Sequence, residues 1–485
     1  MLLDHNSCYE ALAARDPRFD GVLYVGVTTT GVYCRPVCPA RTPRRDRCRF
    51  FANAAAAENA GFRPCLRCRP ELAPGNAVID SANRIASSAA QRIEAGALNE
   101  AGIDELAAEF GVSSRQLRRV VKRELGVTPT ELAQTQRLLL AKHLLTDSAL
   151  PATEVAFASG FSSVRQFNSL FRDRYGLSPT ALRRSRSSRA AGQALTVRLG
   201  FRPPLAWPWL LNFLAGRAIP GVESVEAGRY WRAIRIGQST GWINAELVEG
   251  ANALCVEVSL SLARYLPSLL ARVKNLFDLD AHPQLIEARL GEDERLRKTV
   301  GRHSGLRLPG AFDGFEMAMR AVLGQQISVA AARTIAGRIT EAFAEPVETP
   351  NPRLNRASVS AASLSQASVA DLTRFGLTGK RADCLIALAR AVADGEVKLE
   401  PGVDAEATIE RLKQIPGVGD WTAQYIAMRA LRWPDAFPHS DLGLRKALGE
   451  TSSKRILEIA ENWRPWRAYA LMHLWHGLSQ TQTDK

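Results

Sequence analysis

Four cysteines lie close together in the first part of the chain: three residues separate Cys34 from Cys38, two separate Cys65 from Cys68, and 26 lie between the pairs. Two knuckles of this spacing can present four thiolates to one tetrahedral zinc. Four thiolates overcompensate Zn2+, so their sulfur stays electron-rich and nucleophilic at neutral pH without a general base. A purely structural zinc is the competing interpretation. The second group with chemical potential is Asp441 in FPHSDLGLRKAL, 22 residues after Gly419 of IPGVGDW. Trp421, Tyr425, Trp463, Trp466, Tyr469 and Trp475 flank it in sequence. A carboxylate among aromatic faces can stabilise positive charge that develops on a bound molecule. The competing interpretation is that Asp441 only caps the helix that follows. Gly417 and Gly419 stand between two helical stretches, where backbone N–H groups and a helix N-terminus can face a phosphate.

The elements that must carry these groups divide the chain. At 485 residues with 46% hydrophobic content, one giant core is improbable and several domains are expected. Lys and Arg total 63 against 49 Asp and Glu, and residues 1–190 hold 27 basic against 18 acidic, so most of the excess is N-terminal. Such a surplus suits a polyanionic partner. No secretory signal opens the chain and no apolar run reaches membrane-spanning length, so a cytoplasmic protein without a membrane partner is expected. Disulfides are rare there, which again favours a metal for the cysteines.

Residues 1–75 mix short β-branched runs with the cysteine segment and an Ala-rich helical stretch. Residues 80–184 read as helical, and GVSSRQLRRVVKRELGVTPTEL at Gly111 returns at Gly160 as GFSSVRQFNSLFRDRYGLSPTAL. Ser113–Ser114 and Ser162–Ser163 can each cap a helix. The first of these helices carries Arg115, Gln116, Arg118 and Arg119, and the second Arg165, Gln166 and Asn168 near its start, where a recognition helix meets base edges. A polar, basic linker is expected over 185–194. Segments such as YWRAIRIG and ALCVEVSL read as strands within 195–282, and 283–485 reads as mostly helical.

Three resemblances follow from these motifs. TTTGVYCRPVCPAR and GFRPCLRCRPE closely resemble the N-terminal zinc domain of the Ada family. This implies that Cys34 accepts a methyl group from a methylphosphotriester in DNA, that Cys38, Cys65 and Cys68 complete the zinc site, and that Thr30 and Arg41 lie near the DNA backbone. Methylation would make one thiolate a neutral thioether and weaken the site's repulsion of phosphates. The helical repeat resembles the tandem helix-turn-helix of AraC-type activators, with Ser163 among the DNA-contacting positions. The hairpin, together with FRPPLAWPWLLNFL, AVLGQQISVA and WRPWRAYALMHLW, resembles the AlkA-type helix-hairpin-helix 3-methyladenine DNA glycosylases.

The last resemblance implies that Asp441 stabilises the oxocarbenium-like transition state of N-glycosidic cleavage and orients the attacking water. Trp421, Tyr425 and Trp475 would stack on a flipped, cationic base. Bifunctional relatives carry a lysine where this chain has Trp421, so no lyase step is expected. Gln326 stands where the residue wedged into the DNA can be leucine, and Leu442 replaces an aromatic that can follow the catalytic Asp. No PCHR motif supplies the nucleophile of a second methyltransferase domain. His439, His473 and His476 fit helix ends or cores better than ligand positions.

The expected fold class is multidomain α+β: a small zinc-binding α/β domain, an all-α tandem helix-turn-helix, an α/β N-terminal glycosylase domain and an all-α helix-hairpin-helix domain. The expected activities are alkylbase excision, self-methylating damage sensing and transcriptional regulation. The rival class is a regulator whose glycosylase fold only binds DNA. Expected ligands are Zn2+ and, from the hairpin resemblance, a monovalent cation on backbone carbonyls. Double-stranded DNA, alkylated or operator, is the expected partner of a monomer, with RNA polymerase a further partner for an activator.

Overall fold

Short β-branched and aromatic runs around the cysteines pair into a four-stranded sheet in the order Cys48–Phe51, Tyr24–Val27, Val32–Cys34, Arg63–Pro64. The first two pairings are antiparallel and the last is parallel. A computed structural model supplies these coordinates and describes residues 4–75, 84–184 and 194–483. Most of the expected linker, 185–193, and the start of the helical region, 80–83, lie outside the described residues. Contacts divide the chain into two units, one comprising 1–202, 248–274 and 279–281, the other 203–247, 275–278 and 282–485. The strand-rich stretch expected over 195–282 is therefore shared between them.

In the first unit, helices follow from residue 84 to 184. Ser114–Leu125 buries Leu117 and Val121, one turn apart, and Val164–Tyr175 buries Phe167, Phe171 and Tyr175 at the same spacing. Each ends at a glycine in the left-handed conformation, Gly126 or Gly176. Between them runs Pro129–Asp147, started by a reciprocal Thr128–Glu131 capping box. Its Lys142 pairs with Glu71, which also binds Arg69, and Arg69 reaches Asp147 at 2.8 Å. The end of the cysteine segment is thereby anchored on the long helix. Strands Ala194–Gly200 and Ala253–Ser259 pair antiparallel, with Leu195, Val197 and Leu199 buried on alternate positions.

In the second unit, strands Glu223–Glu226, Arg229–Ile236 and Ser239–Leu247 form an antiparallel meander. Helices occupy most of the remainder. Gly314–Leu323 is buried along nearly its whole length and packs against Gly379–Ala393 and Asp420–Arg429. That all-round burial sets Asp420–Arg429, the helix leaving the hairpin, against a packed core. Among the described residues, no helix is long and apolar enough to cross a membrane.

Candidate active site and cysteine centre

The PGVG turn sets the helix that carries two of the expected pocket aromatics, Trp421 and Tyr425. Gly417 has φ +90°, and a Cβ there would meet Cys384 at 3.0 Å, so both conformation and space require glycine. Gln325 Nε2 donates to the Gly417 carbonyl at 3.0 Å and to Thr422 Oγ1 at 3.1 Å, while Arg381 donates to the Gln325 carbonyl. The turn at Gln325 is thus tied to the hairpin. Next to it Gln326 is exposed at φ +56°, between Gly314–Leu323 and Val329–Phe343. Gly419 begins Asp420–Arg429 without a side-chain cap.

Asp441 is the N-cap of Leu442–Leu448, and its role as a cap and its place in the cavity wall coexist. Oδ1 accepts from Leu444 N at 2.8 Å and from Trp475 Nε1 at 2.9 Å, while Oδ2 accepts from Trp421 Nε1 at 3.0 Å. Three N–H donors from separate segments fix the plane of the carboxylate. A Cβ on Gly443 would come within 3.1 Å of Asp441 Oδ1 and of the Trp475 ring, so a glycine keeps this junction closed.

These groups border a cavity of about 610 Å³, large enough for a purine. Trp421 and Tyr425 stack at 5.2 Å with planes 8° apart, and Trp475 is tilted against Tyr425 at 6.3 Å. Trp463, Trp466 and Tyr469, equally prominent in sequence, are core residues. Arg429, one turn beyond Tyr425, lines the same cavity and donates to Tyr425 Oη at 2.8 Å. Burial alone would raise the Tyr425 phenol, but the guanidiniums of Arg429 and Arg217 outweigh it and hold the phenol below its usual range. Neither Arg429 nor Gly443 was among the expected site residues. The i, i+4, i+8 spacing of Trp421, Tyr425 and Arg429 is the signal that could have pointed to the arginine. His473 is buried and His439 Nδ1 lies 3.5 Å from Asp420 Oδ2.

In the first unit, parallel pairing of Val32–Cys34 with Arg63–Pro64 brings Cys34 and Cys65 to the same end of two neighbouring strands, with Cys65 N donating to Tyr33 O at 3.0 Å. All four sulfurs lie within 4.8 Å of one another. Tetrahedral Zn–S bonds of about 2.3 Å need such a cluster, so the residues fit the metal. Arg67 N donates to Cys65 Sγ at 3.3 Å and Arg35 N to Cys68 Sγ at 3.4 Å. As residues, Cys34 is half-buried and the other three are buried. Thr30 and Arg41 are exposed in the same region.

The two recognition helices repeat one design. Ser113 Oγ accepts from Gln116 N at 3.2 Å and Ser163 Oγ from Gln166 N at 3.4 Å. Arg115, Gln116, Arg118, Arg165 and Gln166 are exposed, and Asn168 is half-buried.

Residues 7–71 match the metal binding domain of Ada, 106–185 a helix-turn-helix domain, 196–313 the AlkA N-terminal domain, and 319–459 the HhH-GPD superfamily of base excision DNA repair proteins. A probable bifunctional transcriptional activator/DNA repair enzyme AlkA of Mycobacterium tuberculosis is 40% identical over 481 residues, 97% of this chain and 96% of that one. DNA-3-methyladenine glycosylase 2 of Escherichia coli is 33% identical over 285 residues, 57% of this chain and 96% of that one. In fold, a 3-methyladenine DNA-glycosylase from Archaeoglobus fulgidus aligns with TM-score 0.51 at 23% identity, over 57% of this chain and 96% of that structure.

Proposed function

The chain belongs to the family of AlkA-type proteins that join a transcriptional activator to a DNA repair enzyme, and on that premise we propose how its parts divide the work. Residues 195–485, which include the whole second unit, form a DNA-3-methyladenine glycosylase, and Asp441 is its catalytic carboxylate. One observation carries this reading: in the wall of an aromatic cavity, two indole N–H groups grip opposite oxygens of a carboxylate. Oδ1 has two donors and Oδ2 one, so Oδ2 has the greater spare lone-pair capacity to face the sugar. As the N-glycosidic bond breaks, its electron pair leaves with the base and positive charge grows at C1′, where the carboxylate stabilises it. Water oriented by the same carboxylate then adds at C1′ and passes a proton to it. Trp421, Tyr425 and Trp475 hold the everted base, Gln326 enters the gap it leaves, and the 417–419 turn meets a phosphate. Trp421 fills the position of a Schiff-base lysine, so the reaction stops at hydrolysis. A monovalent cation on the hairpin carbonyls would strengthen the phosphate contact.

In the first unit, Cys34 is the methyl acceptor. Zinc held by Cys34, Cys38, Cys65 and Cys68 would keep the thiolates deprotonated at neutral pH. Cys34 Sγ attacks the methyl carbon of a methylphosphotriester, the S–C bond forms as the C–O bond breaks, and a phosphodiester anion leaves. Thr30 and Arg41 contact the DNA backbone there. The loss of one negative charge raises affinity for DNA. Ser163, Arg115, Gln116, Arg118, Arg165, Gln166 and Asn168 read the operator, and the protein acts as a monomer that contacts RNA polymerase.

The experiment is base release from methylated duplex DNA by the full chain and by Asp441→Asn, with mass spectrometry of Cys34 in the same reactions. Excision that survives the substitution overturns the assignment of Asp441. Methyl found on a residue other than Cys34 overturns that of the acceptor.

A further inference from the structure

The short helix Ala54–Asn59, beside the cysteine sheet, belongs to two cores at once. Ala54 and Ala57 pack with Tyr24, Tyr33, Phe62 and Leu139, whereas Ala55 joins Leu106, Leu117 and Val121 of the first helix-turn-helix. Its ends bind both recognition helices. Asn53, its N-cap, donates to the carbonyl of Leu125, the last residue of Ser114–Leu125, at 2.7 Å. Asn59 accepts from Arg174, near the end of Val164–Tyr175, at 3.1 Å.

Glu58 on this helix is 4% exposed, and among the described residues no ion pair neutralises it. A buried carboxylate is expensive unless hydrogen bonds converge on it. Tyr33 Oη donates to Oε1 at 3.1 Å and Thr135 Oγ1, on Pro129–Asp147, donates to Oε2 at 2.9 Å. A third hydroxyl, from Tyr175, faces the same carboxylate yet makes no formed hydrogen bond among the described residues. Tyr33 immediately precedes Cys34, and its carbonyl receives Cys65 N, so its backbone is bound to both cysteine pairs.

We propose that Glu58 is a positioning residue that couples the strand carrying Cys34 to both DNA-reading helices, so that a change at Cys34 alters those helices. The inference rests on Cys34 being the methyl acceptor. The groups facing Glu58 are Tyr33 from the sheet, Thr135 from the long helix, and Tyr175 and Arg174 from the second recognition helix; Glu71, paired with Lys142 and Arg69, lies beyond Tyr175. Burial raises the Glu58 carboxyl to about 7, against the pull of its hydroxyl partners and Arg174. Ionised, it accepts charge-assisted bonds from Tyr33 and Thr135. Protonated, it keeps both partners only by reversing one of these bonds, and neither is any longer charge-assisted, so the links are weaker. The coupling is therefore strong above neutrality and weak below it.

The test uses the full chain, methylated by duplex DNA pretreated with N-methyl-N-nitrosourea and then freed of DNA. Mass spectrometry follows Cys34, and amide exchange in Ser114–Leu125 and Val164–Tyr175 is compared with the unmethylated protein. At pH 8 methylation should change exchange at the ends of both helices by at least about twofold. At pH 6 the ratio should approach one. In Glu58→Gln it should be near one at both pH values, although Cys34 takes up methyl to the same extent. Tyr33→Phe removes one donor, keeps the ring in its core, and should lose part of the effect; it replaces Glu58→Gln if that variant does not fold. An unchanged ratio in methylated wild type, or a variant ratio equal to that of wild type, overturns the proposal. Wild-type Cys34 left without methyl overturns instead the reading on which the proposal rests.

Discussion

The cysteine centre and the aspartate pocket each hold one reactive group at the edge of a cage, but the cages are made of different materials. Around Asp441 the cage is the fold: a backbone N–H and two indoles on separate segments, all present without a cofactor. Around Cys34 it is three more sulfurs within 4.8 Å, a cluster whose mutual repulsion only a cation can offset. One chain thus carries a site that folding completes beside a site that metal completes, and the two should fail independently.

Zinc removal should separate them most sharply. A chelator or Cys65→Ser should cost the cysteine segment on the order of 10 kcal/mol of metal-linked stability and abolish methyl uptake. Base release should continue unchanged, and a parallel loss of both activities would break the contrast. Asp441→Asn is the converse. Asn keeps an oxygen to accept from Leu444 N, so the helix cap survives, while excision should fall by about 10³-fold with Cys34 methylation intact.

Buried titratable groups should also give the two units opposite pH responses. The Glu58 carboxyl is raised by burial from 4.5 to about 7, so the folded first unit keeps a proton that the unfolded chain releases. Its stabilising contribution is complete below pH 4.5 and is lost as pH rises through 7. His473 is lowered from 6.5 to about 3, by burial first and then by His303 and His476. Its contribution is complete above pH 6.5 and is lost as pH falls toward 3. Between pH 5 and 7 each effect amounts to about 2 kcal/mol, with opposite sign. All nine tryptophans lie in the second unit, so their fluorescence in urea titrations tracks it alone, while amide exchange in Val164–Tyr175 tracks the first. Slopes of the same sign would contradict the contrast.

The smallest expected effect sharpens the picture of the pocket. Trp475→Phe keeps an aromatic wall and deletes the N–H that binds Asp441 Oδ1, so kcat should fall about tenfold with little change in KM. An unchanged kcat would mean that Trp421 and Leu444 alone hold the carboxylate.

Much of this was legible in the chain because it is local. The repeated Gly-x-Ser-Ser pattern at 111 and 160 gave two capped helices with the same buried spacing, and Ser113 and Ser163 cap where expected. Cysteine spacing announced a metal cluster, and the strands then supplied its closure. Other features were out of reach. Six aromatic residues flank Asp441 in sequence, yet only Trp421, Tyr425 and Trp475 line the cavity, because a stripe at helical spacing does not reveal which neighbour it faces. Glu58 sits in an Ala-rich helix that looks featureless, and its burial depends on helices that lie far along the chain.

By itself, then, the sequence determined which short segments turn, cap and cluster, since hydrogen bonds and ligand spacings within a few residues are set by neighbouring side chains. It also determined the reactive types, four thiols and one carboxylate. Only the tertiary structure decided that Asp441 is both a cap and a wall of the cavity, that Arg429 backs Tyr425, and that one short helix shares its faces between the cysteine sheet and a DNA-reading module. Those outcomes depend on which distant surfaces exclude water from each other, and no local pattern encodes that.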